Sequence, residues 1–187
     1  MARGAALVIT EGRPVSGFDP GFRALATERI AYIPTPIIIM VVVYVLAHVV
    51  LTRTTFGRYV YAIGGNEEAT RLSGVRIHLH KPAIYAVSGL TSAIAAVILT
   101  ARLNSAQPIA GMMYELDAIA ATVIGGTSLM GGEGTLAGTL IGALIMGVLR
   151  NGLNLLGVSS FIQQIVIGGV IVGAVLVDTA LKRHRRD

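Results

Sequence analysis

Apolar residues in this chain gather in long runs, without the alternation of a half-buried strand or the stripe of an amphipathic helix. Ile33–Thr52, Pro82–Ala101, Thr135–Leu149 and Phe161–Leu181 are the four clear runs. The first, second and fourth hold about 20 residues, enough at about 1.5 Å per residue to cross a hydrocarbon core of about 30 Å. The third gains length if Gly131–Gly134 joins it. A weaker fifth run, Leu116–Met130, contains Gly125 and Gly126. Its 15 or so residues reach only about 22 Å as a straight helix. Between the first two runs lies a polar island, Arg53–Lys81.

Charge decides how these runs are threaded. Cytoplasmic flanks of membrane spans accumulate Lys and Arg. Arg53, Arg58, Arg71, Arg76 and Lys81 therefore place the island in the cytoplasm, and Lys182, Arg183, His184, Arg185 and Arg186 place the C-terminus there too. Two ends on one side require an even number of crossings between them. Only three strong runs intervene, so Leu116–Met130 is expected to supply the fourth as a tilted or broken helix. The remaining loops carry little charge beyond Arg102, Glu115, Asp117 and Arg150. The expected order is an external N-terminal segment, a span inward, the island, then out, in, out and in. This is an all-α polytopic membrane helical bundle of about five spans. The opening MARGAALVITEGRP is too short in apolar residues for a signal peptide. It reads as the tail of a span, so further N-terminal spans are expected to be missing.

Composition agrees with lipid as the solvent. The chain has 187 residues, 13% of them charged, and a mean hydropathy of +0.72. The net charge of +5 comes from residues flanking apolar runs, with no aromatic-rich basic patch, so no nucleic acid partner is expected. There is no cysteine, which excludes disulfides, thiolate chemistry and Cys-ligated metals. His78 and His80 lack a third ligand and make a poor metal site. No P-loop, Ser-His-Asp set or paired carboxylates occur, so neither an enzyme nor a bound cofactor is expected. ATP, if used, is hydrolysed on another chain.

The island holds its own helix signal. Asn66 is a cap residue, and Glu67 and Glu68 suit the positive end of a helix dipole. Glu67 and Arg71 stand four apart, a spacing that supports an ion pair. Gly74 sits where a left-handed C-terminal cap is wanted. Two turns cannot be stable alone, so this helix needs a surface. Ala69, Leu72 and Ser73 give it a small, mostly apolar face. Either that face enters a partner's groove or the helix rests on its own membrane domain.

Elsewhere, Gly134, Gly138 and Gly142 recur every four residues, as do Gly169 and Gly173. Such ridges let helices approach closely in lipid, and helix packing is the role expected of all five. The segment GGEGTLAG imitates a dinucleotide loop, but it lacks the strand before it and the acidic residue about 20 positions later. Tyr114, Glu115 and Asp117 open the weak span. Asp117 suits a helix N-terminus, while broken helices in transporters line the pathway; Tyr114, Asp117 and Thr127 are the pathway candidates. Thr127 and Ser128 either face a polar cavity or bond back to the backbone. Asn151, Asn154, Gln163 and Gln164 form an external amide cluster suited to sugars or to an interfacial helix end. His48 lies in an apolar span near its cytoplasmic end, as a functional group or one reaching the interface.

The run FGRYVYAIGGNEEATRLSGVRI resembles the cytoplasmic loop of permease subunits in monosaccharide ABC importers of the ribose/xylose type. The later run YELDAIAATVIGGTSLMGGEGTLAGTLIGALIMGVLRNGLNLLGVSSFIQQIVIGGVIV resembles the same family almost throughout. ARGAALVITEGRPVSG and IPTP resemble its middle region. The resemblance covers nearly all of the chain, as the C-terminal portion of a longer permease. It implies one transmembrane permease domain over residues 1–187, with 53–81 as a coupling loop. By resemblance, Gly64, Gly65, Asn66, Glu67, Ala69, Leu72, Ser73 and Gly74 form the element that docks on a separate ATP-binding subunit. The implied partners also include a second permease subunit, an extracytoplasmic sugar-binding protein and membrane lipid. The implied location is the bacterial inner membrane, multi-pass. Importers of branched-chain amino acids or other small solutes have related permeases, and a non-transporting membrane module is the reading from outside transport.

Overall fold

Runs of Ile, Val and Leu with few breakers have one way to satisfy their backbone in lipid, which is to bond N–H to C=O along the same segment. The computed structural model describes residues 2–30 and 32–184. Arg185 and Arg186 of the basic C-terminal cluster lie outside the described residues, as do the side chains of Lys182, Arg183 and His184. The described elements are α1 (Ala2–Thr10), β1 (Val15–Ser16), α2 (Pro20–Thr27), β2 (Arg29–Ile30), β3 (Ile33–Pro34), α3 (Thr35–Arg53), α4 (Thr55–Gly65), α5 (Glu67–Leu72), α6 (Ile77–Leu103), β4 (Ser105–Ala106), α7 (Tyr114–Ile124), α8 (Leu136–Leu155) and α9 (Ser160–His184). Among the described residues, α3, α6 and α8 are long and apolar enough to cross a membrane, and α9 carries a shorter apolar stretch over Ser160–Leu176. The result is an all-α membrane bundle.

The chain forms two compact units. One combines Met1–Arg53 with His78–Met112. In it, α3 has no buried residue, and Ile37, Met40, Val41, Val45, Leu46 and Val49 are all exposed. A helix apolar around its whole circumference belongs in lipid or among other helices. Its start is tied down by Thr35, whose backbone N–H and hydroxyl both donate to the Glu28 carbonyl at 3.1 and 2.9 Å. Helix α6 begins five residues before the expected Pro82, at Ile77. Pro82 falls in its second turn, where the ring offers no N–H to the His78 carbonyl one turn back. Two antiparallel strand pairs, β1 with β4 and β2 with β3, were not expected. Each strand has two residues, too few for a period of two to show in a sequence.

The second unit combines Thr54–Ile77 with Met113–Asp187. Its core is Ala120, Ala121, Met146 and Ile167, with Ile124, Leu149, Val170 and Ile171 packed against it. The weak run Leu116–Met130 resolves into an 11-residue helix, α7, of about 16 Å, followed by a folded loop. The break falls at Gly125–Gly126. Gly126 has φ +84° and donates to the Val123 carbonyl at 2.9 Å, while Thr127 donates to Thr122 at 2.9 Å. Those two bonds are a Schellman stop, and α8 ends in the same way at Gly157, φ +68°.

Helices α7 and α8 meet backbone to backbone. A Cβ on Gly138 would overlap the Gly125 carbonyl, and one on Gly142 would overlap the Ala121 carbonyl. Gly134 faces the Thr127 side chain, 2.8 Å from where its Cβ would stand. At Gly169 and Gly173, by contrast, no described atom lies within 4 Å of the Cβ position. Gly142→Ala should therefore destabilise the protein by about 1–3 kcal/mol, as overpacking does. Gly147→Ala, which meets open space, should leave stability unchanged or raise it slightly. Thermal denaturation in detergent compares them, and equal midpoints would show that the α7–α8 approach is not tight.

Candidate functional site

The island folds as two helices sharing one residue. Thr54 opens α4, its side chain accepting from Gly57 N at 3.3 Å. At the other end Asn66 serves both helices. Its backbone N–H donates to the Ala62 carbonyl at 3.0 Å, closing α4. Its side-chain oxygen accepts from Ala69 N at 2.9 Å, opening α5. The extended backbone of Asn66, φ −155° and ψ 101°, turns the chain between them. A cap residue fits because it is the helix position with non-helical dihedrals.

Each remaining feature of α5 holds it closed. Glu67 and Glu68 lie in its first turn. Arg71 pairs with Glu68 at 2.6 Å, three residues back, whereas the sequence suggested Glu67, four back; both spacings bring side chains together on a helix. Thr70 is buried, and its hydroxyl donates to the Asn66 carbonyl at 2.7 Å. Gly74, at φ +85°, donates to the Arg71 carbonyl at 3.0 Å, and Val75 donates to Thr70 at 3.4 Å. This is a third Schellman stop. Ala69, Ser73 and Gly74 are exposed, and Leu72 is 79% exposed. An apolar side chain so presented, on a helix capped at both ends, is available for contact.

Gly64 and Gly65 do something different from Leu72. They lie against the loop that follows α7. That loop is braced by Ser128, whose N–H donates to the Glu133 carbonyl at 3.0 Å and whose carbonyl accepts from Gly131 N at 3.1 Å. The Ser128 hydroxyl also accepts from Met130 N at 3.2 Å. Gly131 and Gly132 have φ of +90° and +76°. A Cβ on Gly64 would stand 2.6 Å from Gly132 N, and one on Gly132 would stand 2.7 Å from Gly65 Cα. The Tyr61 hydroxyl donates to the Gly134 carbonyl at 3.0 Å. The beginning of α8 therefore lies against α4.

The pathway candidates are separated. Tyr114 and Asp117 sit at the start of α7, while Thr127 lies beyond its end, next to Gly134. Tyr114 and Asp117 are joined by a residue that the sequence reading treated only as loop charge. Arg150, on α8, pairs with Asp117 at 2.9 Å, and its guanidinium lies 5.5 Å from the centre of the Tyr114 ring. A cleft of about 300 Å³ is lined by Asp117, Ala118, Ala121, Met146, Gly147 and Arg150. From the amide cluster, Gln163 donates to Asn154 Oδ1 at 3.3 Å and to the Val158 carbonyl at 2.8 Å; Asn151 and Gln164 are respectively exposed and exposed. Among the described residues no group of three His, Asp or Glu is placed to hold a metal.

Sequence reasoning missed Tyr61, Gly131, Gly132 and Arg150. The paired glycines at 64–65 and 131–132 were a usable signal, because close backbone approach is a leading reason for glycine. The Asp117–Arg150 distance of 33 positions offered none. Asp117→Asn and Arg150→Gln should each lower the thermal midpoint, and the double variant should lose less than the sum, with a coupling of about 0.5–3 kcal/mol. Strict additivity would mean that the pair contributes nothing.

Residues 5–175 match the family model described as the permease component of branched-chain amino acid transport systems. The ribose import permease protein of Haemophilus influenzae is 52% identical over 185 residues, covering 97% of this chain and 57% of that protein. The ribose import permease protein of Bacillus subtilis is 55% identical over 178 residues, covering 94% of this chain and 55% of that protein. The xylose transport system permease protein of Escherichia coli is 49% identical over 152 residues, 81% of this chain and 39% of that protein. No solved structure matches. The chain thus spans little more than half the length of the ribose permeases it resembles, and it belongs to this family of membrane permease components.

Proposed function

We propose that the chain works in a permease subunit of an ATP-driven importer for a monosaccharide such as ribose or xylose. A separate ATP-binding subunit docks on α5, a second permease subunit completes the pathway, and an extracytoplasmic binding protein delivers the sugar. Residues 1–187 act as part of one permease domain in the bacterial inner membrane, with 53–81 as its coupling loop and the C-terminus in the cytoplasm. The observation that carries this reading is α5 itself. It is a six-residue helix far below the length that is stable alone, yet it is capped at both ends and offers Ala69, Leu72 and Ser73 outward. Such a knob suits a groove on a partner, and the basic residues around it favour the cytoplasmic side.

Cargo rests on different support. The family description names branched-chain amino acids, which keeps an amino acid as the second reading. The relatives at 49–55% identity are a xylose and two ribose permeases, and they favour the sugar. Uptake into vesicles bearing the assembled importer and its cognate binding protein separates the two. Saturable ATP-dependent entry of labelled ribose or xylose is expected, and entry of leucine with neither pentose would overturn the sugar assignment.

The docking role has its own check. Leu72→Arg puts a charge on the outward face, and Gly74→Pro removes the N–H bonded to Arg71 and forbids φ near +85°. Both variants should lose most ATP-driven uptake. Normal uptake by both would sink the coupling role of α5.

A further inference from the structure

We propose that the island and the loop 127–134 form one rigid junction, through which displacement of α5 is delivered to α7 and α8. Tyr61, Gly64, Gly131 and Gly132 are its positioning residues. The inference rests on the proposed docking of an ATP-binding subunit at α5, and it adds where the resulting motion goes.

Each step of the path is a short backbone contact. Asn66 bonds to both α4 and α5 through its backbone and side chain, which ties α5 to the end of α4. That end is Gly64–Gly65, which meets Gly131–Gly132 with less than the room for a methyl group between them. No side chain stands in between to change rotamer and take up a displacement, and close-packed protein has low compressibility. The Tyr61 hydroxyl adds a directional tie to the Gly134 carbonyl, 73 residues away in the chain. The loop receiving the load is stiffened from inside by three hydrogen bonds through Ser128. It runs into α7 through the Gly126 stop and into α8 through Thr135, whose hydroxyl accepts from Gly138 N at 3.1 Å. Beyond the loop, Gly125 and Gly138 bring α7 and α8 into backbone contact.

The alternative is an island hinged at Asn66, with α5 moving while α7 and α8 stay still. Position between two sites does not by itself demonstrate coupling, so the two cases are separated by measurement. The chain has no cysteine, and Glu68 and Met130, both exposed, accept spin labels as Glu68→Cys and Met130→Cys. In the assembled importer in lipid nanodiscs, the interlabel distance should be single and narrow, and unchanged between nucleotide-free and ATP-trapped states. Gly132→Ala should broaden it. A broad distribution in the parent, or a shift with nucleotide, overturns the rigid junction. The width of the nucleotide-free distribution needs no ATP-binding subunit, so a broad distribution overturns the rigid junction even if that subunit fails to associate, an outcome that by itself would count against the docking role alone.

Transmission is read as sugar delivered per ATP hydrolysed. Tyr61→Phe keeps the ring and removes only the donor, which guards against a Gly132→Ala variant that fails to fold. Tyr61→Phe should retain the ATP-binding subunit and its ATP hydrolysis while delivery per ATP falls several-fold. A simple loss of stability would lower both activities together. An unchanged ratio in Tyr61→Phe and Gly132→Ala would overturn the proposal.

Discussion

A backbone inside a bilayer must satisfy its own hydrogen bonds, and the long helices and the closed loop after α7 both meet that constraint. Helices α3, α6 and α8 meet it directly, by running uninterrupted for 19, 27 and 20 residues. Helix α7 stops after 11 residues, which leaves carbonyls and amides to be accounted for before α8 begins. The Schellman bonds at Gly126 and Thr127 take two of the carbonyls. Ser128 then closes the loop on itself with its N–H, its carbonyl and its hydroxyl. The end of α4 covers part of this non-helical backbone, at Gly131 and Gly132.

Glycine makes the cover possible. In lipid there is little hydrophobic drive to push helices together, so association depends on close packing. Gly64, Gly125, Gly131, Gly132, Gly138 and Gly142 each stand where a methyl group would collide with backbone. The same residues that let α7 pack on α8 let the loop pack on the island. A single kind of contact thus joins the island to the core of Ala120, Ala121, Met146 and Ile167. At the far end of α7 the chemistry changes, and an Asp117–Arg150 pair with Tyr114 alongside replaces glycine contact.

Much of this is legible in the sequence. The four strong runs became α3, α6, α8 and α9 because a span is a long local property, insensitive to what surrounds it. Asn66, Glu67–Glu68 and Gly74 marked the ends of α5 for the same reason, since capping involves residues within one turn. Boundaries set by neighbours were less readable. Pro82 looked like the start of α6, yet the helix begins at Ile77. Gly64 and Gly65 stand in the sequence as part of the coupling element, and only the fold shows their backbones against Gly131 and Gly132. Nothing in the pattern of Gly169 and Gly173 distinguished them from Gly138 and Gly142, although only the latter pair is in contact.

Sequence alone determined the solvent, the order of the long helices, the island and its capped helix, because hydropathy, charge placement and capping act over a few residues. Tertiary structure decided the partners: Tyr61 with Gly134, Gly64 with Gly132, Asp117 with Arg150. Those residues are separated by tens of positions, and in lipid no amphipathic stripe announces which face will meet which. The contacts depend on shape, and shape exists only once the helices are assembled.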